Sequence, residues 1–476
     1  MGGADINKET TTTDGYTAYG FYKSSLHAPN FAAGFGEGTR PTGSEAISTS
    51  VGPFVNANFI MKNRYFVDGS FRRSGSSKFG DKNRFAPFWS VGAGWNIHNE
   101  EFATRFGWLN TFRLRYSYGV TGNVSFAPYQ AVTTYFYNGE NFYLHGIGAI
   151  PKTMGNRDLK WELTKSHNIG LNLDLWDNRI NATFDYYVKT TDDVLIDMSV
   201  PPSVGETTVR NNLGQMRNKG FEFEVTALLV STKDWRFSLK VNGDHNKNEI
   251  LGISNSLAKY NEEANANASS APKVLYKEGE STTAIYAVRS AGINPATGEE
   301  VFIKRNGAWT LEYDPNDKVV VGDENAWLKG AFFPMLSYKG WQLNMAFEYN
   351  FGGQIYNTTR ADNVENVNPR NNVDRRAFEE RWKNVNDVPA YLDIANADSR
   401  TSYHTSRFVE DDNNVICRNI ELSYDFNQNL LKKIGFKRLR LSLGMKDPFR
   451  MSTVKFERGT EYPFSRGFTF SISPTF

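Results

Sequence analysis

The chain ends Phe468-Thr469-Phe470-Ser471-Ile472-Ser473-Pro474-Thr475-Phe476. Phe468, Phe470, Ile472 and Phe476 share one parity; Thr469, Ser471, Ser473 and Thr475 share the other. A period of two sends alternate side chains to opposite faces of a strand. One face of this strand is therefore apolar, and the other carries hydroxyls. A strand with lipid on one side and water on the other requires that pattern, and a half-buried strand of a soluble sheet tolerates it. Pro474 cannot donate to a ladder and fits only near a strand end or edge.

The alternation recurs upstream in hairpins. Val55–Met61 and Tyr65–Phe71 flank Lys62-Asn63, Ile169–Leu175 and Ile180–Tyr186 flank Asp177-Asn178, and Phe333–Tyr338 and Trp341–Phe351 flank Lys339-Gly340. Phe221–Leu229 and Trp235–Val241 flank Thr232-Lys233-Asp234. Short polar turns of this kind are hairpin signals. Longer turns join Phe88–Trp95 to Phe112–Tyr118 and Val415–Phe426 to Leu439–Met445. The opposite connections, 121–166, 252–282 and 352–413, are long and polar. Long unstructured loops do not suit an ordinary compact domain, whereas short turns on one rim and long loops on the other suit an outer-membrane barrel. The pattern predicts an all-β, antiparallel transmembrane barrel wall of about 13–14 strands. Thirteen are directly legible, and an antiparallel barrel needs an even number; Thr17–Tyr22 and an absent N-terminal segment are the candidates for the missing strand.

Composition agrees and excludes other classes. Aromatics make up 14% of the 476 residues, with 35 Phe and 23 Tyr, as expected of aromatic girdles. A mean hydropathy of −0.52 and the lack of any apolar run of 18 residues exclude helical membrane spans. A net charge of +2 gives no reason to expect a nucleic-acid partner. The single cysteine, Cys417, rules out a disulfide framework within the chain. Met1-Gly2-Gly3-Ala4-Asp5 lacks the basic and apolar regions of a secretory signal, so the natural precursor is expected to start further upstream.

Several motifs, in order, resemble a known family. They begin with Phe71-Arg72-Arg73-Ser74-Gly75-Ser76-Ser77-Lys78-Phe79-Gly80 and Pro87-Phe88-Trp89-Ser90-Val91-Gly92-Ala93-Gly94-Trp95. Arg113–Asn123, Leu159-Lys160-Trp161-Glu162 and Asn218-Lys219-Gly220-Phe221-Glu222 follow. Thr405-Ser406-Arg407-Phe408-Val409-Glu410-Asp411 and Arg418–Tyr424 complete the series. From about residue 50 to 476 the order resembles the C-terminal barrel portion of SusC/RagA-like TonB-dependent outer-membrane transporters of Bacteroidetes. The terminal Phe476, with Phe468, Phe470 and Ile472, also resembles a barrel-assembly signal. Departures include Asn414-Val415-Ile416-Cys417 in place of the family's Y-L-R-L, and Lys446-Asp447-Pro448 in place of an Asn-Leu pair.

The resemblance implies a barrel of about 22 strands around an internal plug, in the outer membrane of a Gram-negative cell. It also implies import of glycans or peptides, a SusD-like surface lipoprotein as partner, and TonB energy delivered through the plug. The family's plug and TonB box have no counterpart here. Residues 1–50 are expected as a loop-rich N-terminal segment belonging to an extracellular loop or strand, and 51–476 as the C-terminal barrel part, a fragment lacking the plug domain. The alternative is a soluble or surface-attached β-rich protein that binds carbohydrate.

No residue set points to an enzyme. Carboxylates are plentiful, yet none stand out as an acid and base pair, and there is no Gly-x-Ser-x-Gly elbow. Six histidines show no i, i+4 pairing of the helical zinc type, and no cofactor is expected. Asp314, Asn316, Asp317 and Asp323 read as a solvated acidic turn, with a Ca²⁺ loop as the alternative; the central Gly and terminal Glu of an EF-hand are missing. Tyr135, Tyr137, Phe142 and Tyr143, in a long loop, are the candidate ligand contacts, since aromatic rings can stack on sugars.

Overall fold

The computed structural model describes residues 1–21, 31–35, 42–124, 126–143, 146–199, 208–254, 257–258, 261–262, 275–367, 373–393, 403–427, 435–455 and 466–475. One antiparallel sheet of fourteen strands dominates it. Its strands are β1 (Gly2–Gly15), β2 (Thr42–Met61), β3 (Tyr65–Ser76), β4 (Phe85–Asn96), β5 (Leu109–Asn123), β6 (Glu162–Leu175) and β7 (Ile180–Ser199). They continue with β8 (Thr208–Ser231), β9 (Trp235–Ile253), β10 (Leu328–Tyr338), β11 (Trp341–Tyr356), β12 (Val409–Asp425), β13 (Arg438–Ser452) and β14 (Gly467–Thr475). Each strand pairs with its neighbours in sequence, and β1 and β14 stand at the two ends, so the sheet is not closed on itself.

Turn chemistry fixes the registers on the short-turn rim. Lys62 and Asn63 have φ of 53° and 55°, and Arg64 N–H donates to Met61 C=O at 3.0 Å. Lys339 and Gly340, at 46° and 100°, make the two-residue turn between Tyr338 and Trp341. Left-handed turns of this type match the twist of the flanking strands. Trp176, Asp177 and Asn178 are likewise left-handed. The strands run further toward the other rim than their alternation reveals. β2 starts at Thr42 and β8 at Thr208, beyond the segments whose sequence alternates.

Gly2–Gly15 supplies the fourteenth strand, paired with β2 from Gly2↔Val55 to Gly15↔Thr42. The described part of the Thr17–Tyr22 candidate, which ends at residue 21, does not: Ala18–Tyr19 makes only a two-residue ladder with Gly34–Phe35. A run such as Glu9-Thr10-Thr11-Thr12-Thr13 has no apolar parity to read. Its strand state follows from pairing, not from local pattern.

The registers assemble two continuous faces. On one, Phe71 lies opposite Trp89, Ile169 opposite Tyr116, and Phe184 opposite Phe223. Further along, Leu422 lies opposite Leu443 and Leu443 opposite Phe470. Phe468, Phe470 and Ile472 are 71%, 65% and 58% exposed on that face. In water such a width of apolar sheet would need a second layer over it; lipid supplies that layer here. The other face is polar, carrying Arg115, Asn172, Thr183, Asp185, Glu224 and Lys240 among others.

The larger buried apolar clusters therefore lie among the loops of the long-loop rim. Phe79, Phe126, Leu159 and Trp161 form one, with Phe79 stacked on Trp161 at 4.5 Å. Ile285, Tyr356, Val364, Tyr391 and Phe408 form part of another, between the connections 254–327 and 357–408. Beside the second cluster sits a buried ionic latch. Arg407 grips Glu300 with Nε and Nη2 at 2.8 and 3.0 Å and reaches Glu365 with Nη1 at 3.1 Å. Thr405 Oγ1 donates to Glu300 at 2.6 Å, and Arg381 donates to the backbone carbonyls of Val364 and Glu365. Burial works against the Arg407 charge, but the two carboxylates outweigh it and hold the guanidinium well above its usual value. Two cations and two anions cancel, the condition under which buried charge is tolerable. Thr405, Arg407 and Phe408 belong to one of the motifs read from sequence, and the motif's work here is to staple two loops.

Two consequences are measurable. Leu443→Lys, on the lipid face, should cost about 2–4 kcal/mol in urea unfolding from phospholipid vesicles, whereas Thr469→Lys, on the water face, should cost less than about 1 kcal/mol; equal losses would contradict the assignment of faces. Arg407→Ala leaves Glu300 and Glu365 buried with only Arg381 to offset them, a loss of about 3–5 kcal/mol. Hydrogen exchange should then speed up in 288–303 and 357–366 while β5–β9 stay protected, and unchanged protection of those loops would refute the latch.

Candidate functional site

The inner face carries the most organised chemistry. One row of opposed residues crosses six strands: Arg115 on β5, Gly170 on β6, Asp185 on β7, Glu222 on β8, Asp244 on β9 and Lys329 on β10. Three carboxylates stand side by side, an arrangement that like-charge repulsion disfavours. A cation at each end offsets it. Arg115 Nη2 lies 3.2 Å from both oxygens of Asp185, and Lys329 Nζ lies 3.7 Å from Asp244. Gly170 makes the first contact feasible: a Cβ there would fall 2.5 Å from Arg115 Nη2 and 2.6 Å from Asp185 Oδ1. Any side chain at this position would drive the guanidinium off its partner.

Two residues along β8 from Glu222, Glu224 meets Lys240 Nζ of β9 at 2.9 Å. Thr183, Asp185, Glu222, Glu224, Asn242 and Asp244 line a groove of about 460 Å³ along the wall. Among the described residues Glu222 has no cation within ion-pair distance, so the groove is locally acidic. Asparagines extend the polar surface toward the long-loop rim, where Asn246 and Asn248 both donate to Asn218 Oδ1, at 3.1 and 2.9 Å. Ion pairs this exposed contribute about 0–1 kcal/mol each. Their effect is to hold charge in a fixed pattern facing water, more than to hold the sheet together.

The candidate ligand-contact residues occupy a hairpin of the 124–161 connection. Tyr135 is exposed on the arm Thr134–Tyr143, opposite Pro151. Tyr137, Phe142 and Tyr143 lie on the same arm, opposite Ala149, Ile147 and Gly146, and their side chains lie outside the described residues.

The Asp-rich turn is held by hydrogen bonds of its own. Asp314 Oδ1 accepts from Asn316 N–H at 2.8 Å, and Asp317 Oδ1 from Arg305 N–H at 2.9 Å. Asp323 Oδ1 accepts from Asn325 N–H at 2.9 Å and from the Thr283 hydroxyl. Asp314, Asn316 and Asp317 thus share a single turn, and Asp323 is tied to the next ladder. Among the described residues, no three His, Cys, Asp or Glu side chains converge as metal ligands. In the terminal strand Phe468, Phe470 and Ile472 share the exposed apolar face, while Phe476 lies outside the described residues.

Sequence reading missed the carboxylate row and the loop latch. The row had a local signal in Phe221-Glu222-Phe223-Glu224, whose alternation puts both acids on the water face. What it lacked was the register that sets Asp185 and Asp244 on either side of Glu222.

Comparison with known proteins agrees with this architecture. Residues 2–446 match the family described as TonB dependent receptor-like, beta-barrel. The chain is 28% identical over 468 residues to a TonB-dependent receptor of Formosa agariphila, an alignment covering 87% of this chain and 44% of that protein. It is 26% identical over 425 residues to the TonB-dependent receptor SusC of Bacteroides thetaiotaomicron, covering 86% of this chain and 41% of SusC. Among solved structures, the RagAB peptide transporter superposes with a TM-score of 0.80 at 24% identity, over 95% of this chain and 49% of that one. The chain spans less than half the length of the curated relatives it matches. An apolar outer face, a charged inner face, short turns on one rim, roofed loops on the other and a family match over nearly all of its residues lead to one conclusion: the chain belongs to the TonB-dependent receptor-like β-barrel family of outer-membrane proteins.

Proposed function

We propose that this chain forms the C-terminal wall and loop roof of an energised importer of glycans or peptides. The observation that carries the reading is the pairing of a lipid-facing apolar surface with a fixed pattern of charge facing the interior. A sheet built this way separates hydrocarbon from a wet lumen. In the proposal, a SusD-like surface lipoprotein covers the long-loop rim. TonB acts through a plug domain outside this chain, and wall residues such as Asp185, Glu222 and Asp244 face the path that the plug vacates. Both rest on the family relationship. The chain's part is to line and to bind, and no chemical step is assigned to it; it is not read as an enzyme.

Ligand contact is assigned to the 134–143 arm, where Tyr135 offers an exposed ring at the long-loop rim. Tyr137, Phe142 and Tyr143 complete the proposed contact. A divalent cation at Asp314, Asn316, Asp317 and Asp323 is the lesser proposal, and Ca²⁺-dependent melting of the 305–323 segment would test it.

Stacking of one ring on a ligand is worth about 1 kcal/mol, which is about fivefold in affinity. Changing Tyr135, Tyr137, Phe142 and Tyr143 together to Ala in the intact receptor should therefore lower uptake of the transported glycan or peptide by about fivefold or more, with unchanged receptor abundance in the membrane. Uptake at the parent rate would remove these residues from the ligand path.

A further inference from the structure

The short-turn rim contains one anomaly. Its fully described turns at 62–64, 176–179, 232–234 and 339–340 use two to four residues. The connection from β4 to β5 runs from Ile97 to Trp108, far more than the geometry of a hairpin requires. It does not hang free. Glu100 accepts hydrogen bonds from Tyr65 Oη at 2.7 Å, Trp95 Nε1 at 3.0 Å and Arg64 Nη1 at 3.0 Å. Tyr65 and Trp95 are opposed across β3 and β4 on the lipid-facing parity, with rings stacked at 6.3 Å. Their hydrogen bonds therefore fold the connection over the outer side of the rim. Hydrogen bonding to Tyr65 and Trp95, with the nearby Arg64 charge, holds the Glu100 carboxyl below its usual range.

What the folded-over connection presents outward is aromatic. Ala103 is buried beneath it, while Phe102, Phe106 and Trp108 are 53%, 48% and 47% exposed. Trp176, from the adjacent turn, extends the patch with its ring 6.2 Å from that of Trp108, and Phe106 lies 5.9 Å from Trp108 on the other side. Exposed aromatics clustered in this way mark an interaction surface. The occupant follows from continuity, since the patch adjoins the lipid face through Tyr65 and Trp95. The indole N–H edges of Trp108 and Trp176 suit the headgroup level of a bilayer, and the wholly apolar rings of Phe102 and Phe106 suit the acyl boundary just below it. Arg105, exposed in the same connection, adds a positive charge for lipid phosphates, while Glu101 is engaged by Arg64 at 3.5 Å.

We propose that Ile97–Trp108 is an interfacial foot: it lies in the headgroup region of the periplasmic leaflet, and its partner is phospholipid. It fixes the depth and tilt at which this part of the wall sits, as interfacial aromatic anchors do. The proposal rests on the outer-membrane reading of the chain.

A photoactivatable phosphatidylethanolamine, with its reactive group near the headgroup, tests this on the unaltered protein in native outer membranes. Adducts mapped by mass spectrometry should appear on 98–109 as well as on the lipid-facing strand segment 112–120. Label on 112–120 with none on 98–109 overturns the foot and leaves the barrel standing. No label on either segment overturns the membrane reading itself. In a second arm, Phe102→Ser with Phe106→Ser should lose the adducts on 98–109 while those on 112–120 persist. If both segments keep their label in the variant, these rings are not what seats the connection in lipid, and the proposal fails. Should the variant not assemble, the unaltered protein decides alone.

Discussion

A backbone amide or carbonyl in hydrocarbon has no water to bond, and each one left unpaired costs several kcal/mol. Everything else in this chain follows from that constraint. It forces the membrane segment into ladders, with a paired neighbour on each side of every strand from β2 to β13, and it forbids loops at that depth. It also pushes irregular chain to the rims, where the buried clusters around Trp161 and Phe408 are found. The usual arrangement of a soluble protein is inverted: the sheet exposes its apolar side chains, and the loops do the burying.

Two different chemistries then hold the two regions. Across the sheet, backbone pairing and lipid solvation dominate, and the exposed ion pairs of the inner wall add little stability. In the roof, water is excluded and charges must be matched. The Arg407, Glu300, Glu365 and Arg381 group is matched, with Thr405 and backbone carbonyls taking up remaining hydrogen-bonding capacity. The same residue types thus act as a charge pattern on the wall and as a staple in the roof.

The sequence made some of this legible and hid the rest for physical reasons. The terminal strand and the short hairpins were readable because lipid on one side and water on the other impose strict parity. Strand length is harder to read where β2, β7 and β8 extend past their alternating segments, since no strict parity marks those ends. β1 was unreadable locally because its threonines satisfy a ladder without marking a face; only the requirement for an even strand count pointed to it. The motif around Arg407 was visible, but its partners lie 107 and 42 residues away, and no local rule joins them. The charged row was half visible, as Glu222 and Glu224 on one strand, and became a site only through register. The aromatic foot at 97–108 passed as a long turn because nothing in its spacing says which side of the rim it folds over.

One parity of each membrane strand faces lipid and the other faces water. Spin labels placed singly from residue 468 to 473 in the membrane-inserted protein measure this directly, by comparing relaxation with apolar oxygen and with a water-soluble nickel chelate. Accessibility should alternate with a period of two, 468, 470 and 472 being reached by oxygen and 469, 471 and 473 by nickel. Uniform accessibility along the strand, or the opposite phase, would contradict it.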